Sequence, residues 1–182
     1  MIIFFGPAGA GKSVQGQLLA ARNGWRWLSA GQLLRDTKDT ETLDIMKTGK
    51  LLPHDKVNHI VGEAIKKSAD IEKLVLDGFP RAEEQAKWLI ESRPEHGRAV
   101  DLAVVLEVPR HELLKRLALR GRVDDVPEAI DERLKLYRQE IYPILSYFTD
   151  QNIPVVHVNG EGTVGQVHDR IMEELIERKL IS

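Results

Sequence analysis

The chain is 182 residues long, 42% hydrophobic and 30% charged, an ordinary globular profile with enough length for one sizeable core. Lys and Arg number 26 against 28 Asp and Glu, and the formal charge of −2 excludes a strong net field toward nucleic acid or an anionic membrane. With no cysteine, disulfides, thiol catalysis and any cysteine-based zinc site are excluded, and a reducing compartment is unopposed. The opening Met1-Ile2-Ile3-Phe4-Phe5 is too short for a signal segment or a membrane span. The expectation is a cytoplasmic protein of a single domain over residues 1–182, acting as a monomer on small molecules, without nucleic-acid or membrane partners.

Ile2–Phe5 is a short apolar run stopped by glycine and reads as a strand covered on both faces. A glycine-rich stretch then leads into a helix-forming run, Val14–Arg22. Trp27-Leu28 is a candidate strand, and Leu74–Leu76, Leu102–Val108 and Pro154–Val158 are further apolar runs bounded by Gly, Asp or Pro. Leu113 with Leu117, and Val167 with Ile171 and Leu175, fall at helical spacing. Strand and helix alternate along the whole length, which predicts an α/β fold: a five-stranded, mainly parallel sheet wrapped by helices on both faces. Ligands of such sheets bind beyond the carboxyl ends of the strands.

Gly6-Pro7-Ala8-Gly9-Ala10-Gly11-Lys12-Ser13 fits the phosphate-loop pattern G-x-x-x-x-G-K-[ST]. With glycine at about 7% usage, a chance match in a chain of this size is on the order of one per cent or less. Glycines let backbone N–H groups wrap a phosphate, and the helix that follows adds partial positive charge. Lys12 then reaches the β- and γ-phosphates, and Ser13 faces Mg²⁺. The alternative is a strand-to-helix turn that binds nothing. A second segment, Leu74-Val75-Leu76-Asp77-Gly78-Phe79-Pro80-Arg81, puts a carboxylate at the end of a buried strand. There Asp77 is placed to hold Mg²⁺ through water, or else to cap the next helix. Phe79-Pro80 is a candidate cis peptide, and Arg81 offers a fork to an anionic oxygen.

Five segments, in order, resemble the nucleoside monophosphate kinases of the adenylate kinase family over nearly the whole chain. They are GPAGAGKSVQ at Gly6–Gln15, LSAGQLLR at Leu28–Arg35, GKLLP at Gly49–Pro53, LDGFPRAEEQ at Leu76–Gln85, and RGRVDD at Arg120–Asp125 with Asp131-Glu132-Arg133-Leu134. The resemblance implies a P-loop NTPase-like three-layer fold and reversible, Mg²⁺-dependent phosphoryl transfer from ATP to AMP. It implies a segment at about 29–58 for the monophosphate and a very short lid at about 120–126. Gly9, Ala10, Gly11, Lys12, Ser13 and Val14 would cradle ATP, with Arg116 and Val164 beside its base and Arg120 at its phosphates. Arg35 and Arg81 would grip the α-phosphate of AMP. Ala30, Lys50, Leu51, Leu52, Gly78, Phe79 and Pro80 would line the AMP site, and Gln85 would read an adenine edge. Lys12, Arg81, Arg120, Arg122 and Arg133 would converge on the phosphoryl group in flight. Lys and Arg in place of a nucleophile suit a transfer that needs positioning and charge alone.

The chain also departs from that family. Ser13-Val14 stands where Gly-Thr is usual, which moves a hydroxyl one position earlier. Ala30 stands where adenylate kinases carry Thr, as in UMP/CMP kinases, whereas Gln85 follows the adenylate kinases. A UMP/CMP or broad-specificity kinase is therefore the alternative, and a non-catalytic nucleotide-binding module a remote one. Gly121 alone separates Arg120 from Arg122, so no long or zinc-bearing lid fits. Asp125, with Pro127 and Glu128, resembles a capping box at a helix start. Arg116 and Arg133 have exposed helix positions as their plain reading. Trp25 and Trp27 read as core or rim, and His54 and His59 are five apart, the wrong spacing for a helical metal pair.

Overall fold

The computed structural model describes residues 1–47, 52–120 and 127–181. Among the described residues a parallel sheet has the order β2-β3-β1-β4-β5, with β1 Ile2–Phe5, β2 Arg26–Ser29, β3 Leu74–Asp77, β4 Leu102–Glu107 and β5 Val155–Asn159. The expected α/β architecture is found. β1 and β3 are buried at every residue, as strands covered on both faces must be. β5, at an edge, alternates, leaving His157 and Asn159 exposed.

Along β1 successive side chains leave on opposite faces, so one short strand supplies two cores. Ile3 and Phe5 join Leu74 and Leu76 under α4 (His54–Lys66), α5 (Glu83–Glu91) and α8 (Pro127–Asp150), where Phe5 and Phe148 set their ring centres 6.0 Å apart. Ile2 and Phe4 join Val75 under α1 (Lys12–Asn23) and α9 (Val164–Glu177), which contributes the stripe Val167, Ile171 and Leu175. A reciprocal capping box between Thr163 and Gln166 starts α9, and Gly24, in the left-handed region, ends α1. No helix among the described residues is long and apolar enough to cross a membrane.

Several boundaries differ from the sequence expectation. α1 begins at Lys12 and not Val14, because Gly11 takes the left-handed conformation of its N-cap at φ 98°. β3 runs one residue further, through Asp77, and β4 stops at Glu107 and not Val108. β5 is shifted by one, to Val155–Asn159. Trp27-Leu28 lies inside β2, and Trp25 and Trp27 pack against the second core as read.

Between β2 and β3 the chain forms α2 (Ala30–Asp36), α3 (Thr40–Lys47) and α4, which the sequence expectation did not include. Asp39 ties this segment together: its Oδ2 accepts from Thr42 Oγ1 at 2.5 Å and from Lys56 Nζ at 2.5 Å. Lys56 and Thr42 hold its carboxyl down to about 2. A carboxyl held below its unfolded value of about 3.9 contributes fully above that pH and loses the contribution as the pH falls toward the folded value. Asp39→Asn should therefore lower the Tm by an amount that is constant from about pH 7 to about pH 5 and shrinks below about pH 4, as thermal melts across that range will read.

Candidate active site

The strand order spreads the chemistry of the molecule along the carboxyl edge of the sheet. β1 opens into the phosphate loop, β3 into Gly78-Phe79-Pro80-Arg81, β2 into α2, and β5 into the loop before α9. The glycine-rich loop thus stands in the middle, with α2 to one side and the β5 loop to the other.

In that loop Gly9 sits at φ 84°, with a Leu117 carbon 3.0 Å from where a Cβ would stand, so only glycine fits against α7 (Arg110–Arg120). Lys12 Nζ folds back to donate to the carbonyls of Gly6 at 2.7 Å and Pro7 at 3.1 Å. No side chain caps α1, which leaves its first-turn N–H groups for a phosphate. Ser13 Oγ donates to Asp77 Oδ2 at 2.5 Å, and Asp77 is buried. The capping alternative for Asp77 fails, because α5 starts six residues later, at Glu83, with Ala82 as its N-cap. A buried carboxylate and a hydroxyl side by side at the loop form the hard oxygen set that Mg²⁺ takes. Among the described residues no group of three or more His, Cys, Asp and Glu could hold a metal ion.

A cavity of about 240 Å³ joins Lys12 and Pro7 to Gly78, Phe79, Pro80 and Arg81. The Phe79–Pro80 peptide is cis, and Arg81 Nε donates to the Gly78 carbonyl at 3.0 Å. Gln85 is buried, and its Oε1 accepts from the Arg81 backbone N–H at 2.8 Å. Ala30 and Leu52 are buried, while Arg35, in the last turn of α2, donates to Gln32 Oε1 at 2.9 Å. On the other side Arg116 is no bland surface arginine. Its guanidinium donates to Glu112 Oε1 at 2.9 Å and the Gly160 carbonyl at 2.8 Å, with Ala10 O at 3.5 Å. Gln15 Nε2 donates to the Val164 carbonyl at 2.9 Å and ties the start of α9 to α1. Val14 and Val164 are both exposed.

The family model for adenylate kinase matches residues 4–153. The adenylate kinase of Mycolicibacterium paratuberculosis is 34% identical over 94% of this chain and 96% of its own length. That of Mycobacterium marinum is 35% identical over 96% and 98%, and that of Prochlorococcus marinus 33% over 96% and 97%. The chain belongs to the adenylate kinase family.

For this member of the adenylate kinase family, the departure at Ser13 acquires a structural meaning, since its hydroxyl is the group that meets Asp77. Lys50, Leu51, Arg122 and Asp125 lie outside the described residues, and for Arg120 and Glu128 the backbone alone is described. Pro127 opens α8 as expected. Arg133 is partly buried and has a partner.

Sequence reasoning missed Tyr137, Glu140, Ile141 and Ile144, which form the α8 wall of the cleft. They follow Arg133 at helical spacing, the signal that could have found them. Burial pushes the Tyr137 phenol up, and its hydroxyl finds no hydrogen-bond partner among the described residues. Removing the donor to Asp77 strands a buried carboxylate, so Ser13→Ala should cost about 1–3 kcal/mol in urea unfolding, with Ser13→Thr much closer to wild type.

Proposed function

We propose that this protein is an adenylate kinase that converts ATP and AMP reversibly into two ADP. The observation that carries the reading is the cleft in which Lys12 of the phosphate loop and Arg81 of the Gly-Phe-Pro-Arg segment line one cavity, with Asp77 and Ser13 paired at the loop. Two phosphate-seeking cations on either side of one space suit direct transfer between two nucleotides.

In this mechanism the first-turn N–H groups of α1 and the turn Gly9-Ala10-Gly11 hold the ATP phosphates. Lys12 leaves part of its bonding to the loop carbonyls to reach the β- and γ-phosphates. Arg116, Val14 and Val164 flank the donor base. Arg35 and Arg81 draw in the α-phosphate of AMP, and Gln85 meets the adenine edge beside Ala30 and Leu52. Lys50 and Leu51 complete the segment at 29–58. An oxygen of the AMP α-phosphate attacks the γ-phosphorus as the bond to the β–γ bridging oxygen breaks. Arg81, Arg120, Arg122 and Arg133 neutralise the equatorial oxygens in that transition state, and no residue forms a covalent intermediate. Ser13 and, through water, Asp77 would hold Mg²⁺, which when bound with ATP neutralises phosphate charge. Arg120 and Arg122 are the two arginines of the short lid at 120–126. Both nucleotide sites come from one chain, which supports a monomer acting on small molecules, and the cysteine-free sequence suits a cytoplasmic setting.

A coupled assay should detect ADP from ATP and AMP with Mg²⁺ present, and initial-rate patterns should be sequential. Ping-pong kinetics or a trapped phosphoenzyme would overturn the reading, because it commits Ser13 and Asp77 to Mg²⁺ and leaves no residue as nucleophile. Lys12→Met should lower kcat by at least about a hundredfold while the circular dichroism spectrum stays native, since a charge contact to the transition state is lost from a loop. A near-normal rate in that variant would remove the phosphate-loop assignment.

A further inference from the structure

Gln15 and His168 are buried polar groups, 3% and 1% exposed. Gln15 stands in the first turn of α1, three residues after Lys12, and His168 stands on α9, one turn after Val164. Gln15 Nε2 donates to the Val164 carbonyl at 2.9 Å, and Gln15 Oε1 faces His168 Nδ1 at 3.2 Å. A carbonyl can only accept, so the amide must show Val164 its NH₂ and His168 its oxygen. That in turn requires the imidazole hydrogen at Nδ1. Burial, aided by Arg22 on α1 and opposed by Asp169, holds the His168 pKa below the ordinary imidazole value, so the ring is neutral near pH 7. Its Nε2 is buried and has no partner among the described residues. An apolar side chain would pack at this position without that loss of hydration. What the histidine adds is one donor, aimed at Gln15.

We propose that His168 is a positioning residue for the donor nucleotide: through Gln15 it holds the Val164 carbonyl to α1 and so fixes the span between the phosphate loop and the donor base. This rests on the reading that places the ATP phosphates at the start of α1 and the donor base beside Val164. In that reading one ligand meets both helices, its phosphates at the first turn of α1 and its base at the first turn of α9. The bond from Gln15 to Val164 joins those two turns directly. Without the Nδ1–H the amide keeps one of its two partners, and a long side chain held at one point has other rotamers open to it. ATP must then order the junction as it binds, and that ordering is drawn from its affinity. AMP is held by other elements, and the transferred phosphate by the loop and the arginines. The effect is therefore confined to the ATP side.

The test combines nitrogen NMR of the imidazoles with steady-state kinetics on wild type, His168→Leu and His168→Asn. In wild type near neutral pH, the signals that either variant removes should show a hydrogen on Nδ1 and a bare Nε2. The opposite tautomer, or an imidazolium, would overturn the relay. His168→Leu should raise KM for ATP at least about threefold, with kcat and KM for AMP within about twofold of wild type. His168→Asn puts a carboxamide nitrogen where Nδ1 stood, so its KM for ATP should stay within about twofold of wild type. The melting temperatures should rank the variants the other way, because leucine fills the buried space and suits a helix while asparagine leaves a void. KM for ATP that follows the melting temperature, or that rises together with KM for AMP, means that His168 only packs, and the inference falls. Wild type that turns over no ATP overturns the functional reading and this inference together. An active wild type whose KM for ATP His168→Leu leaves unmoved overturns this inference alone. The wild-type tautomer decides against the relay even if one variant fails to fold.

Discussion

Phe4 and Asp77 stand opposite each other in the parallel pairing of β1 with β3, and this register positions the rest of the site. Both strands are buried throughout, so neither tolerates an unpaired polar group until its carboxyl end. There the two chains emerge together, one as the glycine-rich loop and the other as Gly78-Phe79-Pro80-Arg81. A slip of one residue would send Asp77 to the opposite face, away from Ser13, and would exchange the two cores that Ile2, Ile3, Phe4 and Phe5 divide between them. Packing of the hydrophobic sheet and placement of the polar site are thus a single constraint.

Around that edge, several buried polar side chains are secured by specific partners. Ser13 serves Asp77, the Arg81 N–H serves Gln85, and the Val164 carbonyl with His168 serves Gln15. A buried polar group that is paired costs little, whereas one left unpaired costs the full loss of hydration. These bonds hold parts of different elements in fixed relation: α1 to β3, α5 to the loop before it, and α9 to α1. The Tyr137 hydroxyl, buried in the α8 wall of the cleft, has no partner among the described residues, and the same holds for Trp27 Nε1, Asn58 Oδ1 and His168 Nε2. Such groups sit where a structure is shaped by something besides stability.

The segment from α2 to α4 is held differently. α4 gives Val57, Val61 and Ile65 to the core, and α2 gives Leu34, but the junction toward α3 rests on Asp39, Thr42 and Lys56. Charge and hydrogen bonds there supplement the partly buried Ile45, which packs against the core. Exposed ion pairs are weak and screened, so this part of the molecule draws on a smaller store of stability than the sheet. The side toward β5, by contrast, is braced by Arg116, whose fork reaches the Gly160 carbonyl and Glu112.

The sequence by itself determined the features that depend on local chemistry. Alternating apolar runs and helical stripes specified the parallel sheet, because burial on both faces demands continuous hydrophobic strands. The glycines, Lys12 and Ser13 announced the phosphate loop, because few other residues allow a backbone to wrap an anion. Asp77, Arg81 and Gln85 were legible as chemistry-bearing residues, yet their partners were not. That Asp77 would meet Ser13 and not cap a helix, that Arg116 would span from Glu112 to Gly160, and that Tyr137 and Glu140 would wall the cleft all involve residues brought together from distant elements. The helices between β2 and β3 were not read from the sequence, although Val57, Val61 and Ile65 of α4 fall at helical spacing, and the Asp39 contacts with Thr42 and Lys56 had no local signal. Above all, Gln85 in the sequence is an amide free to turn. Only the fold places a backbone donor against its oxygen, because the loop from β3 and the first turn of α5 fold back on each other over the Phe79–Trp88 contact.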